Sequence, residues 1–127
     1  MDPISDMFIR LKNASRAGHK TVFIPYSRLK HEIARVLERH GYVGGLDRKG
    51  KRARKTLEVA LIGGKENPAI RDVALISKPS RRLYRPFRRI ARSRRGGIVI
   101  VSTPRGVMSG EEAKKEKAGG EMIAEIW

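Results

Sequence analysis

Nine lysine and arginine side chains lie between Lys78 and Arg95 without an acid among them: Lys78, Arg81, Arg82, Arg85, Arg88, Arg89, Arg92, Arg94 and Arg95. Tyr84, Phe87 and Ile90 interrupt the run. A guanidinium offers planar, bidentate donors to phosphate, and a neighbouring aromatic ring offers a face on which an unstacked base can lie. Such a combination suits irregular or single-stranded RNA. The plainer reading is a solvated charge run, but like charges at this density repel one another unless a polyanion neutralises them. Tyr84 also has a plain reading, as an anchor of its segment to a core.

Two further stretches have chemical potential. Ser102, Thr103, Pro104, Arg105, Gly106, Val107 and Met108 read as a loop ahead of a helix. Hydroxyls and free N–H groups near a helix start attract phosphate or sugar oxygens, and Gly106 allows close backbone approach. Capping alone accounts for many such loops. The run from Arg48 to Lys55, with Arg54 and Lys55 at its end, reads as the tip of a hairpin. It is either a finger that reaches phosphates without reading sequence or a solubilising tip.

Little points to catalysis. His19, His31 and His40 form no i, i+4 pair, so no metal site is implied. The absence of cysteine removes thiol nucleophiles, Cys-based zinc sites and disulfides, and fits a reducing compartment. The glycine pairs lack the lysine and spacing of a phosphate-binding loop. Glu111, Glu112, Glu116, Glu121 and Glu125 crowd the C-terminal end, where a charged helix face explains them better than an acid/base pair. No enzyme, metal or cofactor is expected.

These groups need a scaffold, and the chain has the means to build one. It has 127 residues, 39% of them hydrophobic, and a formal net charge of +16. A disordered basic tail would carry fewer aliphatic residues and no periodic pattern. Asp2-Pro3 starts a helix with Ile4, Met7, Phe8 and Leu11 on one face, and Gly18 ends it. Thr21 to Pro25 reads as a strand, and Ser27 caps a second helix bearing Leu29, Ile33, Val36 and Leu37 that stops at Gly41. Tyr42 to Leu46 and Thr56 to Ile62 read as strands flanking the basic tip. The turn-rich Gly63 to Pro68 marks a boundary, giving a domain over 1–64, a linker over 65–69 and a second domain over 70–127. Beyond it, Ile70 to Ile76 and Ile98 to Val101 read as strands. A capping box of Ser109 with Glu112 opens a short helix through Ala118, and Glu121 to Trp127 reads as a last strand. Asp2, Asp6 and Arg10 interrupt the N-terminal stretch from Met1 to Leu11, and nowhere do about 18 apolar residues run together, so neither a signal peptide nor a membrane span is expected.

The stretch from Val101 to Ser109, followed by Ala113 and by Gly119-Gly120-Glu121, resembles the signature of the small ribosomal subunit protein eight family. DPISDMFIRLKNA at the N-terminus, Ile24 to Lys30, and Ser77 to Tyr84 resemble it in the same order, so the likeness covers nearly the whole chain. The resemblance implies an α+β fold of two small domains: an N-terminal α-β-α-β-β unit, and a mainly β C-terminal unit with a short helix. It also implies a cytoplasmic, ribosomal protein that binds the central domain of small-subunit rRNA and helps its assembly. Neighbouring small-subunit proteins, five and seventeen, and the protein's own messenger RNA are further implied partners.

Carried over by residue, the resemblance has Ser102, Thr103, Arg105, Gly106, Val107 and Met108 enter the RNA minor groove and its irregular core. Tyr84 would stack on a base, and Glu121 would meet RNA from the last strand. On the reading of charge alone, and not from the resemblance, Arg81, Arg82, Arg85, Arg88 and Arg89 would hold phosphates, with Arg54 and Lys55 at the hairpin tip. Arg10, Lys12, Asn13, Ser27 and Lys30 match positions that would meet a neighbouring RNA backbone. Pro104 stands where many members carry a second serine, which removes a hydroxyl and a backbone donor. Ser80 replaces a common glycine and Ala124 a frequent cysteine. The arginine run is richer than the family pattern, which predicts extra phosphate contacts and a steep salt dependence. A nucleoid-type DNA-binding protein shares the charge but needs groove-reading wedges. A small nuclease or RNA-modifying enzyme lacks the constellation its chemistry requires.

Overall fold

A computed structural model describes residues 2–50 and 55–127. They fall into two compact units, Pro3–Arg71 and Asp72–Trp127, and the mixed α+β fold class is as expected from the sequence.

In the first unit, α1 (Pro3–Arg16) buries Met7, Phe8, Leu11 and Ala14, the stripe set by their spacing. Strand β1 (Thr21–Pro25) follows, and then α2 (Arg28–Arg39). Ser27 caps α2 with an extended backbone, its hydroxyl oxygen accepting from the Lys30 N–H at 3.1 Å. At the other end the chain reverses through Gly41 at φ +79°. There Gly41 N–H donates to the Glu38 carbonyl and Tyr42 N–H to the Leu37 carbonyl, satisfying two carbonyls of the last turn.

That reversal consumes Tyr42, so the strand expected over Tyr42 to Leu46 lies instead at β2 (Leu46–Lys49), paired antiparallel with β3 (Thr56–Ala60). Arg48 and Lys49 are therefore strand residues rather than tip residues. β2 is an edge in the order β1-β3-β2, where exposed basic side chains also discourage pairing with another chain. Arg54 lies outside the described residues. Ile70, expected to begin the next strand, is buried in the first unit, its N–H donating to the Ser15 hydroxyl at 3.2 Å.

The second unit is one antiparallel sheet. Its order is β4 (Val73–Leu75), β8 (Gly120–Ile126), β6 (Ile98–Thr103) and β7 (Gly106–Ser109), with β5 (Tyr84–Arg85) pairing the start of β8. The expected loop from Ser102 to Met108 is a tight hairpin: Ser102 pairs Val107 and Thr103 pairs Gly106, leaving only Pro104 and Arg105 at the turn. Burial alternates along the returning strand, with Val107 and Ser109 buried and Gly106 and Met108 half-buried. α3 (Gly110–Lys115) opens with the anticipated Ser109–Glu112 capping box.

Between β6 and β8 the register shifts at Ile100/Val101: Ile100 pairs Ala124 but Val101 pairs Met122, leaving Ile123 bulged. The Ile123 carbonyl accepts from Ile76 N–H at 2.9 Å and from Ser77 N–H at 3.4 Å. Strand alternation then sorts the sheet into two faces. One carries Val99, Val101 and Met122, clustered with Ile90 and Ala113 and packed against Ile76, Leu83, Phe87 and Met108. The other carries Ser102, Glu121 and Tyr84, which are cross-strand neighbours.

Candidate nucleic-acid interface

The β6–β7 hairpin is braced by its own side chains. Thr103 is buried, its hydroxyl donating to the Gly106 carbonyl at 2.8 Å and accepting from the Arg105 N–H at 3.1 Å. Gly106 sits at φ +120°, where a β-carbon would strain the turn. Val107 is buried and Met108 packs on the core, so their outward reach is through backbone. Arg105 is exposed and its guanidinium meets the Glu116 carboxylate at 2.8 Å. Ser102 is half-buried on the face it shares with Glu121.

Beside it, Tyr84 is 64% exposed, a large aromatic ring left uncovered on a two-residue strand. Glu121 lies across the ladder from it and its carboxylate is 3.4 Å from the Arg82 guanidinium. Arg81 closes a bridge with Lys78, and the Ser77 hydroxyl anchors the returning chain by accepting from Leu83 N–H at 2.9 Å. Arg85 donates to the Tyr84 carbonyl, while Arg88 and Arg89 ride on a single 3-10 turn (Phe87–Arg89), with Arg88 stacked 5.5 Å over the Phe87 ring. Arg81, Arg82, Arg85, Arg88 and Arg89 are all exposed. The fold thus sets hydroxyl, ring, carboxylate and guanidinium groups side by side at one end of the sheet.

In the first unit the expected residues have varied settings. Arg10 pairs with Asp6 at 2.8 Å, one turn away. Asn13 is exposed and Lys12 half-buried. Ser27 serves as the α2 cap, and Lys30 is buried, its ammonium donating to the Pro25 carbonyl at 3.2 Å. Lys55 is half-buried, its carbonyl accepting from Tyr26 N–H.

One cluster escaped sequence reasoning. A cavity of about 350 Å³ is lined by Tyr26, Arg28, His31, Glu32, Arg35 and Arg48. Arg48 donates to the Tyr26 hydroxyl at 3.1 Å and lies 5.1 Å over its ring, and His31 meets that ring edge-on at 5.7 Å. Burial, and then the charges of Arg35 and Arg48, hold the His31 pKa below its usual 6.5 against the opposing pull of Glu38. Tyr26 and Arg48 are 22 residues apart in sequence, and they meet because β1 and β2 pair with β3 on either side.

Among the described residues no group of three or more His, Cys, Asp or Glu is placed to hold a metal ion, and no helix is long and apolar enough to cross a membrane. A small α+β protein with this charge and these exposed basic and aromatic groups is suited to a polyanionic partner. A family profile described as Ribosomal protein S8 matches residues 2–127. The chain belongs to that family of structural ribosomal proteins. It is 46% identical over 127 residues to the small ribosomal subunit protein uS8 of Mycoplasmopsis agalactiae, covering 99% of this chain and 97% of the relative. The proteins of the same name from Acidobacterium capsulatum and Dictyoglomus thermophilum are each 42% identical, with the same coverage of 99% and 97%.

Proposed function

We propose that the protein is a structural component of the small ribosomal subunit that binds the central domain of its rRNA directly and helps that domain assemble. The observation that carries this reading is the grouping of Ser102, Tyr84 and Glu121 on one sheet face beside Arg81 and Arg82. A hydroxyl and a carboxylate on a rigid sheet suit hydrogen bonds to sugars and base edges, and an open ring suits an unstacked base. The surrounding arginines supply phosphate affinity that carries no sequence information. Asp72–Trp127 is the reading unit in this proposal. Arg10, Lys12, Asn13, Arg54 and Lys55 provide secondary backbone contacts from the rest of the chain. Small-subunit proteins five and seventeen are its protein neighbours and its own messenger RNA is a second target, all in the cytoplasm.

The test is binding of the full chain to an irregular central-domain rRNA hairpin and to a fully paired variant, across a salt series. The expected result is a preference for the irregular hairpin that persists as salt rises. Equal, steeply salt-dependent binding to both, or to duplex DNA, would reduce the protein to a polyanion binder.

A further inference from the structure

The sheet face opposite Ser102, Tyr84 and Glu121 is not fully covered by the residues packed on it. A cavity of about 480 Å³ opens there. Its floor is aliphatic, made of Ile76, Leu83, Val99 and Met122. Arg85, Arg89 and Arg92 stand on its rim, and Arg94 and Arg95 complete the edge. Its only acid, Glu125, is already engaged: the Ser93 hydroxyl donates to it at 2.6 Å and Arg95 pairs with it at 3.2 Å. Arg95 also stacks 4.2 Å over the Trp127 ring.

We propose that this cavity docks an acidic polypeptide segment carrying an aliphatic or aromatic anchor residue. The rim presents several guanidiniums in excess of acids, and guanidinium pairs with carboxylate bidentately. The floor is the more decisive half. Phosphates gain nothing from four aliphatic side chains, and the lining has no aromatic face on which a base could stack. An apolar anchor seated in a pocket and ringed by charge pairs is the usual anatomy of a protein contact. The floor lies across the sheet from Ser102, Tyr84 and Glu121, while the rim shares Arg85 and Arg89 with the arginines assigned to phosphate, so the inference depends on the floor and not on those two guanidiniums.

The experiment uses the full chain and a fluorescein-labelled 12-residue peptide of alternating Glu and Asp with central Leu and Phe. The controls are the same peptide with Ser replacing Leu and Phe, and a 12-nucleotide oligouridylate. Anisotropy at near-physiological salt should show the anchored peptide binding at least about tenfold tighter than its Ser counterpart. The methyl NMR signals of Leu83, Val99 and Met122 should move with it. The double variant Arg89→Ala and Arg92→Ala, at exposed positions that leave the floor intact, should weaken the anchored peptide by a similar factor. Equal affinity for the two peptides, or unmoved methyl signals, would overturn the proposal. So would oligouridylate shifting the same methyls while the anchored peptide does not, which would make the cavity a nucleotide site.

Discussion

Tyr84 stands opposite Glu121 across the β5–β8 ladder with its ring open to solvent, while the Glu121 carboxylate turns 3.4 Å toward Arg82. The ring is held in place by backbone pairing and not by packing, so its apolar face contributes little to the fold. Tyr84→Ala is expected to leave the melting temperature nearly unchanged while weakening binding to the irregular rRNA hairpin by about 1–3 kcal/mol, the range for loss of a base stack. Parallel thermal melts and filter binding check both halves, and an unchanged affinity would remove Tyr84 from the interface.

Ser102 and Thr103 should separate in their effects. Ser102→Ala is expected to weaken the irregular hairpin by about 1–3 kcal/mol with little loss on random RNA. Thr103→Ala removes both hydrogen bonds that brace the turn, so it should also lower stability, by about 1 kcal/mol or more. Thr103→Ser should restore most of that. Denaturant midpoints of the three variants, read beside their affinities, distinguish contact from scaffold.

Arg88→Ala is expected to weaken every RNA about equally and to flatten the salt slope by about one unit, as loss of one phosphate contact does. The readout is the logarithm of affinity against the logarithm of salt. A parallel line displaced from wild type would mean that Arg88 acts through its stacking on Phe87.

His31 makes stability depend on pH with a definite sign. The unfolded chain takes up its proton near 6.5, whereas the folded protein, desolvated at this site and facing Arg35 and Arg48, takes it up only at lower pH. Between those two values the unfolded state binds more protons, so stability is full above 6.5 and falls as pH drops through the folded pKa. Urea midpoints measured from about pH 8 to about pH 5 should decline less in His31→Gln than in wild type. Coincident curves would show that the surrounding charges do not reach this imidazole.

Gly120 pairs with Arg85, and a β-carbon there would run into the Ser102 carbonyl oxygen. Gly120→Ala should therefore pry β8 from β6 and cost more than about 1 kcal/mol, visible as a lowered melting temperature. An alanine variant as stable as wild type would show that the two strands can part without loss.

What the sequence revealed was the part governed by short-range rules. Ser27, Gly41 and the Ser109–Glu112 pair placed helix ends because caps satisfy backbone groups a few residues away. Thr21–Pro25 was legible from its β-branched residues and closing proline. The place of Ile70 was not, because its N–H is bonded to Ser15, 55 residues distant. The Ser102 to Met108 segment reads as a loop because Ser102, Thr103, Pro104 and Gly106 are all turn-forming types, although all but Pro104 are paired in the strands. The apolar floor beneath the arginine rim was equally invisible, since Ile76, Val99 and Met122 meet only when β8 lies between β4 and β6. The arginines themselves stood out at once.

The Ile123 side chain has no polar group, yet this residue decides which chemistry faces which way. Were β8 regular, Met122 would pair with Ser102 and Glu121 with Thr103, putting a thioether beside the hydroxyl and a carboxylate toward the apolar cluster. The extra residue puts the two halves of β8 in antiphase, so that Ala124 and Ile126 keep step with Ile100 and Ile98 while Glu121 comes round to Ser102. The strand behaves as two short words joined by a silent letter. Anyone transplanting this end of the sheet into another scaffold would need to carry Ile123 along, or the donor and acceptor groups would arrive on the wrong side.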